Sequence, residues 1–309
     1  MAYLYLLSCD EYEQELARAE LWAFTGLEGR GRVATGPQAA EVRHAAYVAA
    51  CAELLASGDA PRALAEALAG GEHRYERFRV TLVTLPPRPH IDGHEAIVRV
   101  AESIDGSVDL VSPLTELLLV GSANEWYLGR VISRSGKSFR RHEHKPRGFS
   151  SSLPARIARC MVNLVPGAGT IIDPCCGAGT ILLEAWATGR QAVGADLNPK
   201  LAAMTRANLE HFGYPRWVCV ADAATFAARG DAVVTDLPYG RQSARTAGLY
   251  ERLLSNFPSL APRLCLVTAA PVENQLESAG YDILRVACTR RGGFERRVYV
   301  ARVRDHGSP

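Results

Sequence analysis

Short apolar runs alternate with amphipathic helical segments from residue 153 to the C terminus. The runs predict strands at 170–173, 191–196, 216–220, 232–236, 263–269, 281–287 and 296–303, and helices at 180–188, 199–212, 247–257 and 271–279. Strands that alternate with helices are typical of a doubly wound parallel sheet, which binds its ligand at the carboxyl ends of the strands. The last two strands have no helix between them and predict an antiparallel hairpin.

The pattern before residue 140 is a less regular mixture and predicts a separate α+β unit. We expect strands at 3–8, 77–85, 95–100, 116–120 and 125–133, and helices at 11–25, 38–56 and 61–69. Residues 141–152 are polar and basic, which is typical of a linker. The predicted domains are therefore 1–140 and 153–309, joined by 141–152. The first of them is open to a second interpretation as an oligomerisation domain.

A glycine-rich turn joins the first of the C-terminal strands to its helix. The sequence from Asp173 to Thr180 reads Asp-Pro-Cys-Cys-Gly-Ala-Gly-Thr. Glycines let a ligand approach the backbone, and free N–H groups at a helix start attract an anion. A nucleotide phosphate and the carboxylate of S-adenosylmethionine both suit such a turn. The Gly-Lys-Ser/Thr of a P-loop is missing, which argues against an ATPase.

Two further strand ends narrow the choice of ligand. Asp196 ends the next predicted strand, where a carboxylate accepts hydrogen bonds from ribose hydroxyls of either NAD or S-adenosylmethionine. Asp236, Leu237, Pro238 and Tyr239 follow the apolar strand at 232–235. A carboxylate and a backbone carbonyl, here of Asp236 and Leu237, localise the lone pair of an exocyclic amine. Pro238 fixes the backbone and the Tyr239 ring stacks on a base. The alternative is an ordinary turn after a strand.

Together these motifs resemble the S-adenosylmethionine-dependent tRNA guanine-N2 methyltransferases that carry a THUMP domain. The resemblance covers about residues 149–309 and is carried by Val162-Asn163-Leu164, the turn at 173–180, Ala195-Asp196-Leu197-Asn198 and Thr235-Asp-Leu-Pro-Tyr-Gly240. The motifs are most similar to those of the group that methylates guanosine 10. Leu237 replaces a proline that is more usual there and is closer to the guanosine-6 group.

The resemblance implies a fold, a cofactor and a partner. The fold would be a Rossmann-like class I methyltransferase sheet with an N-terminal α+β THUMP-like RNA-binding domain. The cofactor would be S-adenosylmethionine and the partner tRNA, with a small activating protein as an open possibility. The residues assigned to the cofactor are Asp173, Pro174, Cys175, Gly177, Gly179, Thr180, Asp196, Leu197, Asp222 and Ala223. Asp222 is expected to accept from the adenine amine, with a helix N-cap as the alternative.

Composition and charge change this interpretation only in detail. With 309 residues and a net charge of +2, RNA affinity has to come from local patches. One candidate comprises Arg134, Lys137, Arg140, Arg141, Lys145 and Arg147, the alternative being a solvated connector. Eight cysteines without a C-x-x-C pair indicate neither zinc nor disulfides, and we expect a cytoplasmic protein without a metal or membrane span. A DNA amino-methyltransferase and a non-catalytic RNA-binding protein are the competing functions.

Overall fold

The computed structural model describes residues 1–69, 73–149, 152–238, 244–291 and 293–304. Two compact units are present, and their division does not follow the order of the sequence. The first comprises Met1–Ser8, Thr25–Arg43 and Val48–Ser135, and the second comprises Cys9–Phe24, His44–Tyr47 and the chain from Gly136 onwards. These units differ from the predicted domains 1–140 and 153–309 in two respects. An N-terminal helix belongs to the second unit, and residues 141–152 belong to that unit too.

The helices within the described residues are α1 (Gln14–Thr25), α2 (Pro61–Leu68), α3 (Gly93–Ala101), α4 (Ala155–Asn163), α5 (Thr180–Ala187), α6 (Pro199–His211), α7 (Ala244–Leu260) and α8 (Glu273–Ser278). Short 3-10 helices cover Glu11–Glu13 and Ser138–His144. No helix in this part of the chain combines the length and the apolar character that a membrane span requires.

A seven-stranded mixed sheet forms the first unit. Its strands are β1 (Tyr3–Leu7), β2 (Val33–Gly36), β3 (Val48–Gly58), β4 (Arg74–Thr84), β5 (Asp105–Val108), β6 (Thr115–Gly121) and β7 (Trp126–Arg134), in the order β2-β1-β3-β7-β6-β4-β5. Helices α2 and α3 cover one face, where Leu64 and Val100 pack against Phe78 and Trp126. The sheet and its two helices form the α+β unit that the sequence predicts for this half of the chain.

Two elements predicted for the first unit are wrong. The helix expected at 38–56 does not form, because its second half is β3, which pairs with β1 and β7. Ala50, Cys51 and Ala52 are fully buried there, so a central strand overrides the helix propensity of alanine. The strand expected at 95–100 is helix α3, whose first turn is capped by the Asp92 carboxylate.

The second unit is a doubly wound sheet, as predicted. Its strands are β8 (Thr170–Asp173), β9 (Gln191–Asp196), β10 (Val218–Val220), β11 (Ala232–Asp236), β12 (Arg263–Thr268), β13 (Tyr281–Arg291) and β14 (Phe294–Val303), in the order β10-β9-β8-β11-β12-β14-β13. The strands from β10 to β12 are parallel, and β14 is antiparallel to both β12 and β13. The order reverses between β8 and β11, which is where such sheets bind ligands.

Helix α1 is held in the second unit by buried polar contacts. The Glu20 carboxylate accepts hydrogen bonds from the backbone N–H groups of Ala46 and Tyr47, at 2.8 and 2.6 Å. It also accepts a 2.8 Å hydrogen bond from the Asn163 amide on α4. Glu20 is fully buried, and a buried carboxylate requires such donors. The first helix is therefore part of the unit that carries the motifs.

Candidate active site

The two motif-bearing strands lie side by side. Strands β8 and β11 pair in parallel, so Asp173 and Asp236 end neighbouring strands at the same edge of the sheet. Asp173 Oδ1 accepts a 2.8 Å hydrogen bond from the Thr235 hydroxyl. The glycine-rich turn and the Asp236 segment are therefore joined directly, although 62 residues separate Asp173 from Thr235.

A cavity of about 590 Å³ opens at this edge. Its lining includes nearly all the predicted cofactor and catalytic residues: Asp173, Pro174, Cys175, Gly177, Thr180, Asp196, Leu197, Asp222, Ala223, Asp236, Leu237 and Pro238. Ligand pockets in proteins commonly measure about 300–1,000 Å³. Gly179 is absent from the lining, and Tyr239 lies outside the described residues. The structure thus gathers the residues of both motifs around one space.

The turn between β8 and α5 requires glycine at two positions. Gly177 and Gly179 have φ angles of +53° and +80°, in the left-handed region that disfavours side chains. A Cβ atom at Gly179 would also lie 2.6 Å from the Thr205 methyl carbon on α6. Gly179 therefore allows the turn to pack closely against α6, on the side away from the cavity.

Asp196 has a structural role that sequence reasoning missed. Its Oδ2 accepts a 2.9 Å hydrogen bond from the Gly177 N–H, and its Oδ1 accepts one of 2.8 Å from the Asn198 N–H. Each carboxylate oxygen has further acceptor capacity, so the predicted ribose contact is compatible with these bonds. Asp196 thus fixes the glycine-rich turn while it lines the cavity.

Two buried polar residues of α6 also hold the turn, and the sequence contains no motif that marks them. The Thr205 hydroxyl donates a 2.6 Å hydrogen bond to the Gly177 carbonyl. The Asn208 amide donates to the Ala178 carbonyl at 2.8 Å and to the Arg147 carbonyl at 2.7 Å. Both side chains have no solvent-exposed surface.

Burial changes the ionisation of the turn. It raises the pKa of Asp173 to about 8, against hydrogen bonds from Thr235 and the Cys175 N–H that lower it, and the neighbouring carboxylates of Asp236 and Asp196 raise it further. Burial likewise raises the pKa of the Cys175 and Cys176 thiols. Both thiols are therefore neutral at neutral pH, so neither cysteine is an activated nucleophile.

The Asp222 carboxylate, in the loop after β10, has one partner in that loop and one on α7. Its Oδ1 accepts a 2.9 Å hydrogen bond from the Ala224 N–H, and its Oδ2 lies 3.2 Å from an Arg252 guanidinium nitrogen. The Asn256 amide on α7 donates to the Ala223 and Phe226 carbonyls, each at 2.9 Å. The loop that lines this side of the cavity is therefore fixed by α7.

The segment after β11 is fixed by its backbone. The Leu237 N–H donates to the Val267 carbonyl at 3.0 Å, and the Leu237 side chain is fully buried in the core. The Tyr250 hydroxyl donates a 3.1 Å hydrogen bond to the Pro238 carbonyl. A rigid segment of this kind holds a polar group in place before its ligand arrives.

The predicted basic patch is divided by the structure. Arg134 belongs to the first unit, where Glu116 accepts two of its hydrogen bonds, at 2.8 and 2.9 Å. The other five basic residues belong to the second unit. Burial lowers the pKa of Lys145, and Arg141 donates a 3.0 Å hydrogen bond to the Tyr214 hydroxyl. Lys137, Arg140 and Arg147 are exposed.

The residues expected to form a solvated linker instead bury an ionic cluster. His142 Nδ1 lies 2.7 Å from one Glu184 oxygen, and Arg159 Nη2 lies 2.6 Å from the other. All three side chains are fully buried. Because the cluster joins the 3-10 helix at 138–144 to α4 and α5, the basic segment at 137–147 is anchored to the core of the second unit through His142.

Comparisons with known proteins agree with this geometry. Residues 142–280 match the family model described as UPF0020, the RMKL-like methyltransferase domain. This part of the second unit is therefore similar to a methyltransferase domain. The chain is 37% identical over 185 residues to the tRNA (guanine(10)-N2)-dimethyltransferase of Methanothermobacter thermautotrophicus, and 29% identical over 206 residues to the enzyme of the same name from Pyrococcus abyssi. The predicted resemblance to this group is confirmed.

The sequence matches cover only part of each relative, whereas the structural match covers nearly the whole chain. The chain spans 55% of the length of the first relative and 60% of the second. The crystal structure of TrmN from Thermus thermophilus matches over 98% of this chain and all of that chain, with a TM-score of 0.52 and 22% identity. This likeness confirms the fold predicted for the second unit.

Proposed function

We propose that this protein transfers a methyl group from S-adenosylmethionine to the exocyclic N2 of guanosine 10 in tRNA. The observation that carries the proposal is the single cavity lined by both the glycine-rich turn and the Asp236-Leu237-Pro238 segment. The names of the two relatives, both tRNA (guanine(10)-N2)-dimethyltransferases, support the guanine target and its position.

The cavity fits S-adenosylmethionine in size and in charge. The carboxylates of Asp196 and Asp222 line it, and they suit a ligand that carries a sulfonium and an ammonium group. The first turn of α5 offers N–H groups to the ligand's carboxylate. When bound, S-adenosylmethionine supplies a methyl group that is already activated for transfer.

The residues of the chain then position and polarise the acceptor amine. Asp236 accepts a hydrogen bond from the amine and the Leu237 carbonyl accepts a second, which localises the nitrogen lone pair. The Leu237 N–H and the Pro238 carbonyl are held by Val267 and Tyr250, so little reorganisation is needed as charge develops. Tyr239, which we propose stacks on the guanine, follows directly in the sequence.

Access to a base in paired tRNA requires its extrusion from the helix. We propose that exposed Lys137, Arg140 and Arg147 contact RNA phosphates close to the cavity, and that the first unit is a THUMP-like RNA-binding domain.

All eight cysteines are free, which supports a reducing cytoplasmic location. The transcript assay, run with the purified chain and again with added cell extract, tests the need for an activating partner.

Guanosine 6 is the second candidate, and Leu237 favours it. Three tRNA transcripts distinguish the positions: wild type, G10 to A and G6 to A, each incubated with labelled S-adenosylmethionine and then mapped by nucleoside mass spectrometry. We expect N2-methylated guanosine in the wild-type and G6-substituted transcripts only. Full methylation of the G10-substituted transcript would refute position 10. No transfer by the purified chain to any tRNA, and none after addition of cell extract, would refute the activity.

A further inference from the structure

Asn208 connects two segments that the proposed function uses for different ligands. Its amide nitrogen donates to the Ala178 carbonyl in the glycine-rich turn, at 2.8 Å, and to the Arg147 carbonyl in the basic segment, at 2.7 Å. Its carbonyl oxygen accepts a 2.9 Å hydrogen bond from the Arg147 N–H. One side chain thus fixes the backbones of both segments, which lie 61 and 30 residues away from it in sequence.

The neighbouring turn of α6 strengthens this connection. Thr205, three residues earlier on the same helix face, donates to the Gly177 carbonyl at 2.6 Å. Asn208 and Thr205 are both fully buried, so water does not compete for these bonds. Helix α6 therefore holds the turn at two consecutive carbonyls and the basic segment at Arg147.

The bonds to Arg147 involve only its backbone, so its side chain is free of this constraint and is exposed. An RNA phosphate that draws the Arg147 side chain towards it therefore acts on a backbone that Asn208 ties to Ala178. Phe149, two residues further on, lines the cavity beside the glycine-rich turn. The basic segment is thus fixed to the turn by Asn208 just before it reaches the cavity.

We infer that Asn208 is a positioning residue that couples RNA binding by the basic segment to cofactor binding by the glycine-rich turn. This inference rests on the proposed function, because it needs both ligands. Coupling between two sites is reciprocal: tRNA raises the affinity for cofactor by the same factor by which cofactor raises the affinity for tRNA.

The test measures that factor in a double cycle. Dissociation constants for S-adenosylmethionine are determined by calorimetry with and without tRNA, in the wild type, in Asn208→Ala and in Asn256→Ala. Asn256 is the matched control, since its amide also bridges two backbone carbonyls beside the cavity, but both belong to the loop at 223–226. We expect a coupling factor of about fivefold or more in the wild type and in Asn256→Ala, and close to one in Asn208→Ala.

The outcomes separate this inference from the function on which it rests. A factor that is equal in wild type and Asn208→Ala, or close to one in the wild type, overturns the inference while methyl transfer by the wild type upholds the function. If Asn208→Ala does not fold, hydrogen exchange in the wild type decides the question. The amides of Gly177–Gly179 should exchange more slowly when tRNA is added without cofactor, and unchanged exchange there would overturn the coupling.

Discussion

The Thr235 hydroxyl donates a hydrogen bond to the Asp173 carboxyl across neighbouring strands, at 2.8 Å. Thr235 precedes the proposed catalytic Asp236, and Asp173 begins the glycine-rich turn, so this bond links the proposed cofactor site to the proposed acceptor site. Both residues of the pair are buried. The cavity edge is therefore held by a contact that neither motif shows when it is considered alone.

The raised pKa of Asp173 predicts a pH dependence of stability. The folded value is about 8 and the ordinary value is 3.8, so the stabilising contribution is complete below 3.8 and is lost as pH rises through about 8. We expect the thermal midpoint of the ligand-free protein to fall between about pH 4 and 8 for this reason. The isosteric Asp173→Asn variant should lose that component, and identical profiles for the two proteins would contradict the assignment.

Removal of the Asp236 carboxylate should affect turnover far more than binding. We expect Asp236→Ala to lower the single-turnover rate of methyl transfer by roughly 100-fold or more, the usual effect of one preorganised polar group. The dissociation constant for S-adenosylmethionine should change little, because the turn and Asp196 are untouched. Calorimetry and quenched-flow assays on the same preparation measure both quantities. A variant that retains the wild-type rate would exclude Asp236 from the mechanism.

Two glycines with the same backbone angle provide a matched test of the turn. Gly179 and Gly189 both have φ of +80°, but only a Cβ at Gly179 would meet the Thr205 methyl carbon, at 2.6 Å. Either substitution by alanine costs about 1–2 kcal/mol of backbone strain. We expect only Gly179→Ala also to weaken cofactor binding, by about tenfold or more. Equal cofactor affinities in the two variants would show that the Thr205 contact does not shape the site.

The buried ionic cluster should be a major stabilising contact of the second unit. Glu184→Ala leaves the Arg159 guanidinium buried without its carboxylate, which we expect to cost about 3–5 kcal/mol of unfolding free energy. Glu210→Ala removes an ion pair with Arg216 whose side chains are more than half exposed, and should cost about 0–1 kcal/mol. Urea denaturation compares the two variants. A Glu184 variant as stable as the Glu210 variant would contradict this role.

The second unit was predictable because its motifs are local. Asp173, Asp196 and Asp236 each follow a short apolar strand, and parallel strands bring such ends to one edge of a sheet. The first unit lacks comparable motifs. Alanines and leucines of β3 favour a helix, and only the pairing with β1 and β7 makes this segment a strand.

The strand predicted at 95–100 and the linker predicted at 141–152 were errors with different causes. Ile97, Val98 and Val100 suggested a strand, although Asp92 three residues before Glu95 is a capping pattern that predicts the start of α3. That pattern was available in the sequence. The burial of His142 had no comparable signal in the sequence, because its neighbours are charged and its partner Glu184 lies 42 residues away.

The assignment of α1 to the second unit predicts that this unit is incomplete when the chain starts at Gly136. Such a chain lacks Glu20, the buried acceptor for the Asn163 amide, and leaves Cys160 without the Leu16 carbonyl that its thiol contacts at 3.7 Å. We expect the 136–309 fragment to be insoluble, or to unfold at a lower temperature than the whole chain. Differential scanning calorimetry tests this, and matching midpoints for the unit in both contexts would contradict it.

The same arrangement has a consequence for the order of events during synthesis. Glu15 on α1 accepts a 2.7 Å hydrogen bond from the Cys288 N–H on β13, across 273 residues. At roughly 5–20 residues per second, the ribosome delivers that partner tens of seconds after α1 emerges. The strands of the first unit have all been made by then. The second unit is thus completed by α1 and β13 together, and we expect it to reach its native state only after translation has passed β13.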